Sequence, residues 1–126
     1  MIRVVILLLL IALYCGYSLL IYTKGTESRL YITSIEQQKI NDGKRLYQQY
    51  NCQVCHQIYG LGGYLGPELT TAYSDKNRGE NFMRAMLQAG GSRMPRFHLS
   101  TQQIDALIAY LKYVDTTATP IKQANR

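Results

Sequence analysis

Two cysteines and a histidine stand together in the middle of the chain, in the order Cys52-Gln53-Val54-Cys55-His56. Two thiols at this spacing can each add to one vinyl group of a haem, and the adjacent histidine is then held under the iron as its proximal ligand. A zinc site would need a second pair of cysteine or histidine ligands, which the sequence lacks. A thioredoxin-like thiol pair would need a βαβ setting, which the hydrophobic pattern does not provide. The motif therefore predicts one covalently attached c-type haem, held by Cys52, Cys55 and His56.

The iron of such a haem needs a ligand on its other face, and the sequence offers four candidates: Met83, Met86, Met94 and His98. Met83 and Met86 lie three residues apart on a predicted amphipathic helix, where a role in the core is the default. Met94 follows that helix in a loop stiffened by Pro95, where its thioether could cross the distal face of the haem. His98 would give a bis-histidine iron of lower reduction potential. We predict Met94 as the axial ligand, with His98 or an open position as the alternatives.

A glycine-rich loop follows the cysteine motif and contains the turn Gly66-Pro67. The ring nitrogen of an iron-bound histidine that faces away from the metal usually donates to a carbonyl or a carboxylate. The rigid turn is well placed to supply the carbonyl of Pro67 to His56. Ordinary turn chemistry is the alternative role for this proline.

The N-terminal segment is an almost unbroken apolar run from Val4 to Ile21. As a helix it would be roughly 27 Å long at about 1.5 Å per residue, close to the hydrocarbon thickness of a bilayer. Arg3 precedes the run, and Tyr22 and Lys24 follow it as interfacial anchors. A cleaved signal peptide is the alternative, but the run is too long and no small-x-small cleavage site follows it. We predict an uncleaved transmembrane anchor over residues 1–23.

The haem decides the expected orientation of this anchor, because c-type haem is attached outside the cytoplasm. The positive-inside rule is nearly neutral here, with Arg3 on one side of the apolar run and Lys24 and Arg29 on the other. We expect a single-pass protein of the inner (cytoplasmic) membrane, with a cytoplasmic N-terminus and a periplasmic or otherwise extracytoplasmic haem domain.

The charge and cysteine content of the 126-residue chain exclude several other classes of protein. The net charge of +6 is spread thinly, without a basic stripe interleaved with aromatics, so a nucleic-acid partner is not expected. The basic surface is either a docking feature for an acidic partner or simply solvated. Three cysteines with one tight pair do not form a disulfide framework.

The remainder of the chain has helical patterning. Ser34 and Gln37 have the form of a capping box, which predicts a helix from about residue 35 to the cysteine motif. A short helix is predicted over residues 78–89, before Met94. Ser100 and Gln103 form a second capping box, which opens the best-patterned helix, with its apolar stripe at Ile104, Leu107, Ile108, Leu111 and Val114.

No window alternates over the length of a strand, so the predicted fold class is all-α, with a single N-terminal transmembrane helix followed by a helical haem domain. The predicted boundaries are an anchor over 1–23, a linker over 24–33, the haem domain over 34–116 and a polar C-terminal tail over 117–126.

Over residues 34–116 the chain resembles the class I c-type cytochromes, and it is most similar to the cytochrome c subunit of bacterial nitric oxide reductase. The stretches that carry this resemblance are Gly43–Tyr47, Cys52–His56, Gly60–Leu69, Met94–Ser100 and Ile104–Lys112. A single N-terminal membrane anchor also matches that subunit. The stretch around Gly66-Pro67 and the stretch that begins at Met94 are more specific than the attachment motif, which all such cytochromes share.

The resemblance implies a particular arrangement of the haem domain. The first and last helices of the domain are expected to cross beside Gly43, with Tyr47 and Tyr110 packed at the crossing. Pro67 is expected to accept the hydrogen bond from His56.

The resemblance also implies a function. Electrons from a soluble cytochrome c or cupredoxin would enter the haem and pass to haem b and the catalytic haem–iron centre of a large polytopic membrane subunit. That subunit reduces nitric oxide to nitrous oxide in the respiratory chain of denitrification. The family has a calcium ion at the subunit interface, which Gly62 and Tyr64 would reach. Leu61 stands where the family commonly has an acidic residue.

Two other functions stay open at the level of sequence. The chain could serve another terminal oxidase or a nitrous oxide reductase as a membrane-anchored cytochrome. It could also be a small haem enzyme or a gas sensor, which would require an open sixth position on the iron. We expect no substrate site in this chain, because it lacks a nucleophile–base arrangement and its carboxylates are scattered.

Overall fold

The computed structural model of the protein describes residues 2–24 and 32–118, which belong to two separate compact units. The first unit contains the N-terminal helix, and the second begins at Ile32. The predicted linker and the predicted C-terminal tail fall largely outside the described residues.

Helix α1, Ile2–Lys24, makes up the described part of the first unit. Its apolar side chains are exposed in the isolated chain, and its residues Ile2–Thr23 are long and apolar enough to cross a membrane. The hydroxyl of Thr23 donates to the carbonyl oxygen of Leu19 at 2.7 Å, so this polar group is satisfied within the helix, as a hydrocarbon environment requires. The predicted N-terminal apolar helix is confirmed.

The second unit is mainly helical, which confirms the predicted fold class. Its elements, in chain order, are α2 (Ser34–Gln49), a 3₁₀ turn (Cys52–Val54), β1 (Gln57–Ile58), β2 (Leu61–Gly62), α3 (Gly79–Ala89) and α4 (Thr101–Ala118). The two strands are antiparallel and only two residues long each, so they form a small hairpin on a helical domain.

The capping residues at the starts of α2 and α4 test the sequence prediction directly. The prediction that Ser34 caps α2 is wrong, because the hydroxyl of Thr33 accepts the bond from the backbone N–H of Glu36 and the helix begins one residue earlier. At α4 the capping box is confirmed. The backbone N–H of Ser100 donates to the Gln103 side chain at 2.9 Å, and the backbone N–H of Gln103 donates to the Ser100 hydroxyl at 3.3 Å.

The hydrophobic core lies where α2 crosses α4. All five residues of the predicted α4 stripe are buried, which confirms the 3.6-residue pattern. At the crossing, a Cβ atom on Gly43 would lie 2.6 Å from the carbonyl carbon of Ala106, so only glycine allows the backbones to come this close. The rings of Tyr47 and Tyr110 pack beside it with their centroids 5.6 Å apart. The expected crossing at Gly43 is therefore confirmed.

The hairpin between β1 and β2 was not expected from the sequence. Its two turn residues, Tyr59 and Gly60, both have positive φ, as in the type I′ turns that join strands through two residues. Two-residue strands are too short to show alternation, and tyrosine is an unusual residue for the first position of such a turn.

A polar network fixes α3 to α4. Arg84 on α3 forms ion pairs with Glu80 at 2.8 Å and with Asp105 on α4 at 2.6 Å, and Tyr73 donates to Glu80 at 3.0 Å. Hydrogen bonds from Arg84 lower the pKa of Asp105, and they are the largest cause of the lowered pKa of Glu80. The network therefore holds α3, the helix that precedes Met94, against α4.

Candidate haem-binding site

The cysteine motif begins immediately after α2. Asn51 has φ 52°, in the left-handed region, and this residue turns the chain out of the helix and into the 3₁₀ turn. The backbone N–H groups of Cys55 and His56 both donate to the carbonyl oxygen of Cys52, at 3.2 and 2.9 Å. This one turn of backbone therefore gathers the three predicted haem-binding residues.

Both cysteines of the motif are free thiols and half-buried. Burial raises the pKa of the Cys52 thiol above its usual value, against a smaller opposing effect of a main-chain hydrogen bond. A reactive thiolate would need a lowered pKa, as in thiol oxidoreductases. The Cys52 thiol therefore lacks the lowered pKa that a reactive thiolate has.

The ring of His56 is oriented by the glycine-rich loop. Its Nδ1 lies 2.8 Å from the carbonyl oxygen of Pro67. Because a carbonyl can only accept, Nδ1 carries the hydrogen and Nε2 keeps its lone pair for a metal. The ring packs against Gly66, where a Cβ atom would lie 2.5 Å from Nδ1, so a side chain at this position would displace the imidazole. Tyr47 adds a long hydrogen bond of 3.4 Å from its hydroxyl to the main-chain carbonyl of His56.

These residues fit a covalently bound haem c. Cys52 and Cys55 supply two free thiols on one turn, and His56 supplies a nitrogen lone pair in a fixed ring orientation.

Main-chain hydrogen bonds hold the glycine-rich loop against the cysteine motif. The N–H of Gly66 donates to the carbonyl of Cys55 at 2.7 Å, and the N–H of Leu69 donates to the carbonyl of Gln57 at 2.9 Å. Pro67 lies between these two bonds. Its carbonyl is therefore held from both sides.

Met94 lies in a bend between α3 and α4 and is half-buried. The N–H of Gly91 donates to the carbonyl of Met94 at 2.8 Å, which closes a tight turn. Phe97 then packs edge-on against Tyr50, with ring centroids 5.3 Å apart. Tyr50 directly follows α2, so this contact brings the segment that contains Met94 to the end of the helix where the cysteine motif begins.

The other candidates for the sixth ligand have different surroundings. Met83 is buried in the hydrophobic core. Met86 is half-buried, and its methyl group lies against Gly91. His98 is exposed and has φ 52°, in the segment between α3 and α4.

The chain segment that contains the cysteine motif is uncharged. Residues 51–67 contain no lysine, arginine, aspartate or glutamate. We call the exposed large apolar side chains of this segment the hairpin face; they are Val54, Tyr59, Leu61, Tyr64 and Leu65. Gly62 and Tyr64, the two residues that the resemblance assigns to calcium, are both exposed, and Tyr64 is 88% exposed.

Comparison with known proteins places these features in a family. A family model described as cytochrome c oxidase, cbb3-type, subunit III matches residues 38–111, more than half of the chain. The chain is 37% identical over 90 residues to the C subunit of nitric oxide reductase from Stutzerimonas stutzeri, covering 62% of each protein. It is 28% identical over 85 residues to the C subunit of nitric oxide reductase from Halomonas halodenitrificans, covering 58% of this chain and 57% of the relative. The chain thus spans about three fifths of the length of these relatives, and the resemblance seen in the sequence is confirmed.

Proposed function

We propose that this chain, which belongs to the cytochrome c family described as cytochrome c oxidase, cbb3-type, subunit III, is the electron-receiving subunit of a nitric oxide reductase. In this role it takes electrons from a soluble cytochrome c or cupredoxin and passes them to a large membrane subunit that carries haem b and the catalytic centre. The two relatives, each named as the C subunit of a nitric oxide reductase, support this choice.

The observation that supports the proposal most is the contact between His56 Nδ1 and the Pro67 carbonyl, next to two free thiols. A bound haem c supplies a one-electron carrier at such a site. Cys52 and Cys55 would hold it through thioether bonds, and His56 would ligate the iron through Nε2. Met94 would supply the thioether on the other side, which raises the reduction potential relative to a second histidine.

Helix α1 supports a membrane location for this site. Because haem c is attached outside the cytoplasm, the N-terminus would lie in the cytoplasm and residues from 32 onward in the periplasm. The apolar length of Ile2–Thr23 suits one crossing of the bilayer.

The hairpin face supports a permanent protein partner. Buried centres of stable interfaces are depleted in charged residues and enriched in aromatic ones. The hairpin face carries no charge, and its exposed aromatic and aliphatic residues, such as Tyr64 and Leu61, would be covered by the large membrane subunit. A calcium ion at this interface would be reached by Gly62 and Tyr64.

The soluble electron donor would meet a different part of the domain. Arg93 and Arg96 are exposed on either side of Met94, and residues 81–104 contain no acidic side chain. A positive surface steers an acidic partner and makes its association sensitive to salt. The donor that this surface suits is an acidic cytochrome c or cupredoxin.

The description of the matched family favours one alternative function, delivery of electrons to an oxygen-reducing terminal oxidase. A nitrous oxide reductase would be a further acceptor. The same haem site serves each of these, so only the identity of the catalytic partner separates them.

The test is purification of the tagged full-length protein from native membranes in mild detergent. We expect one covalent haem per chain, a large polytopic partner with haem b, and reduction of nitric oxide rather than oxygen. Cys52→Ala should lose one thioether bond and lower the covalent haem content. Cys15→Ser, a change in the third cysteine, which lies in α1, is the matched control and should leave haem attachment intact. Oxygen reduction without nitric oxide reduction would favour the alternative, and absence of covalent haem would refute both.

A further inference from the structure

The hairpin turn depends on a tyrosine in an unusual backbone conformation. Tyr59 has φ 55°, a region that residues with a Cβ atom rarely adopt. Its backbone N–H donates to the hydroxyl of Thr70 at 2.6 Å. Its own hydroxyl lies 3.1 Å from the carbonyl oxygen of Val114 on α4 and also contacts the hydroxyl of Thr117. The residue is therefore held at both ends, and sequence rules give no reason for a tyrosine here.

The hydroxyl of Thr70 connects Tyr59 to Glu68. Thr70 is buried, with 8% of its surface exposed. Because its oxygen accepts the bond from Tyr59, its hydrogen is free to be donated, and it points to Oε1 of Glu68. The same carboxylate oxygen accepts the backbone N–H of Thr70 at 3.0 Å. We call these three residues the Tyr59–Thr70–Glu68 latch.

The latch acts on the peptide group that accepts the hydrogen bond from Nδ1 of His56. The carbonyl that accepts from Nδ1 belongs to the planar peptide group between Pro67 and Glu68. Arg78, itself paired with Asp75 at 2.8 Å, donates to the carbonyl oxygen of Glu68 at 3.2 Å. Glu68 is thus held through its side chain by Thr70 and through its main chain by Arg78. Fixing Glu68 on both sides fixes the plane of the peptide group that precedes it.

We propose that Thr70 is a positioning residue, whose hydroxyl joins Tyr59 to Glu68 and so keeps the Pro67 carbonyl aligned with Nδ1 of His56. This inference rests on the proposed role of His56 as an iron ligand. A carbonyl that accepts from Nδ1–H makes the imidazole a more basic ligand, which favours ferric over ferrous iron. Loosening the latch therefore raises the reduction potential of the haem.

The experiment compares three forms of the full-length holoprotein in detergent. Thr70→Val keeps the shape of the side chain and removes both hydroxyl hydrogen bonds, whereas Thr70→Ser keeps the hydroxyl. We expect Thr70→Val to shift the ferric–ferrous equilibrium about threefold toward ferrous iron, a rise of about 28 mV at 59 mV per tenfold change for one electron. Thr70→Ser should have the same potential as the wild type. The proton NMR signals of the His56 ring in the ferric protein should move in Thr70→Val only.

Several outcomes would overturn the proposal. Thr70 would have only a structural role if Thr70→Val had normal haem content, an unchanged potential and unchanged His56 signals. A lower melting temperature would not alter that conclusion. If Thr70→Val fails to fold, Glu68→Ala decides, because it removes the acceptor of the latch and leaves the Tyr59–Thr70 bond in place. Because loss of the carboxylate charge raises the potential by itself, the measurement for this variant is the proton NMR spectrum. The signals of the His56 ring should again move, and unchanged signals would refute the latch. A wild-type protein without covalent haem would refute the site assignment and the latch together.

Discussion

Replacing Gly43 by alanine tests the helix crossing on which the haem domain is built. The added Cβ atom would lie 2.6 Å from the carbonyl carbon of Ala106 and 2.8 Å from the Cβ of Tyr110. Comfortable carbon–carbon contact is about 3.5–4.0 Å, so the two helices must separate by about 1 Å. Overpacking of a core costs about 1–3 kcal/mol, and a main-chain clash belongs at the upper end, about 3 kcal/mol.

Helix propensity works in the opposite direction at this position. Alanine is favoured over glycine in a helix by about 1 kcal/mol, which leaves a net loss of about 2 kcal/mol. For a domain of this size 1 kcal/mol moves the melting temperature by about 4–8 °C, so Gly43→Ala should melt roughly 8–16 °C below the wild type. The assay is thermal unfolding of the holoprotein, followed by the circular dichroism of the haem band.

Two further variants make the test of the crossing sharper. Lys44→Ala, at the exposed neighbouring position, is the control and should melt within a few degrees of the wild type. Because the atoms nearest to the added Cβ belong to the main chain, the additional change Ala106→Gly should not rescue Gly43→Ala. A Gly43→Ala protein that melts at or above the wild-type temperature would refute the close crossing of α2 and α4.

Three other perturbations have defined outcomes. Met94→Ala should remove the low-spin, methionine-ligated absorption spectrum and lower the potential; an unchanged spectrum would exclude Met94 as the ligand. The carboxylate of Asp105 has a lowered pKa in the folded protein because of its bond to Arg84, so its contribution to stability is present above about pH 4 and is lost as the pH falls further. Asp105→Asn should accordingly flatten the acid limb of a plot of melting temperature against pH, and an equally steep limb would contradict this. Ser100→Ala removes the side-chain cap of α4 and should lower the free energy of unfolding by about 1 kcal/mol. The melting temperature should fall by about 4–8 °C, and an unchanged value would show that the cap contributes little.

The start of α2 shows how far local sequence rules reach. Two overlapping capping boxes are present, Thr33 with Glu36 and Ser34 with Gln37. Both satisfy the pattern, and only the backbone angles decide between them: Thr33 is extended, with ψ 153°, whereas Ser34 is already helical. The buried face of α4 was unambiguous in the sequence, because its apolar residues repeat at one helical period and only one face of the helix can turn toward the core.

The contacts around the haem site were not predictable from the sequence for a different reason. Tyr59, Thr70 and Val114 have no pattern in common, and they meet only because the hairpin and α4 are folded against each other. The ion pair between Arg84 and Asp105 likewise joins two different helices. Motif spacing predicts residues that act from one turn of the chain, whereas these contacts depend on tertiary packing.

The two sides of the candidate haem site are held with unequal firmness in the part of the chain that the structure describes. On the His56 side, the ring donates to Pro67 at 2.8 Å, and the loop that carries this carbonyl is bonded to the cysteine motif before and after it. Met94, the proposed ligand on the other side, is positioned by its hydrogen bond from Gly91 and by the ring contact of Phe97. Segments with few buried contacts open at lower free energy than the rest of a fold. The proposed proximal ligand, His56, is therefore fixed by a loop that is hydrogen-bonded on both sides of Pro67, whereas the proposed distal ligand, Met94, depends on one short segment.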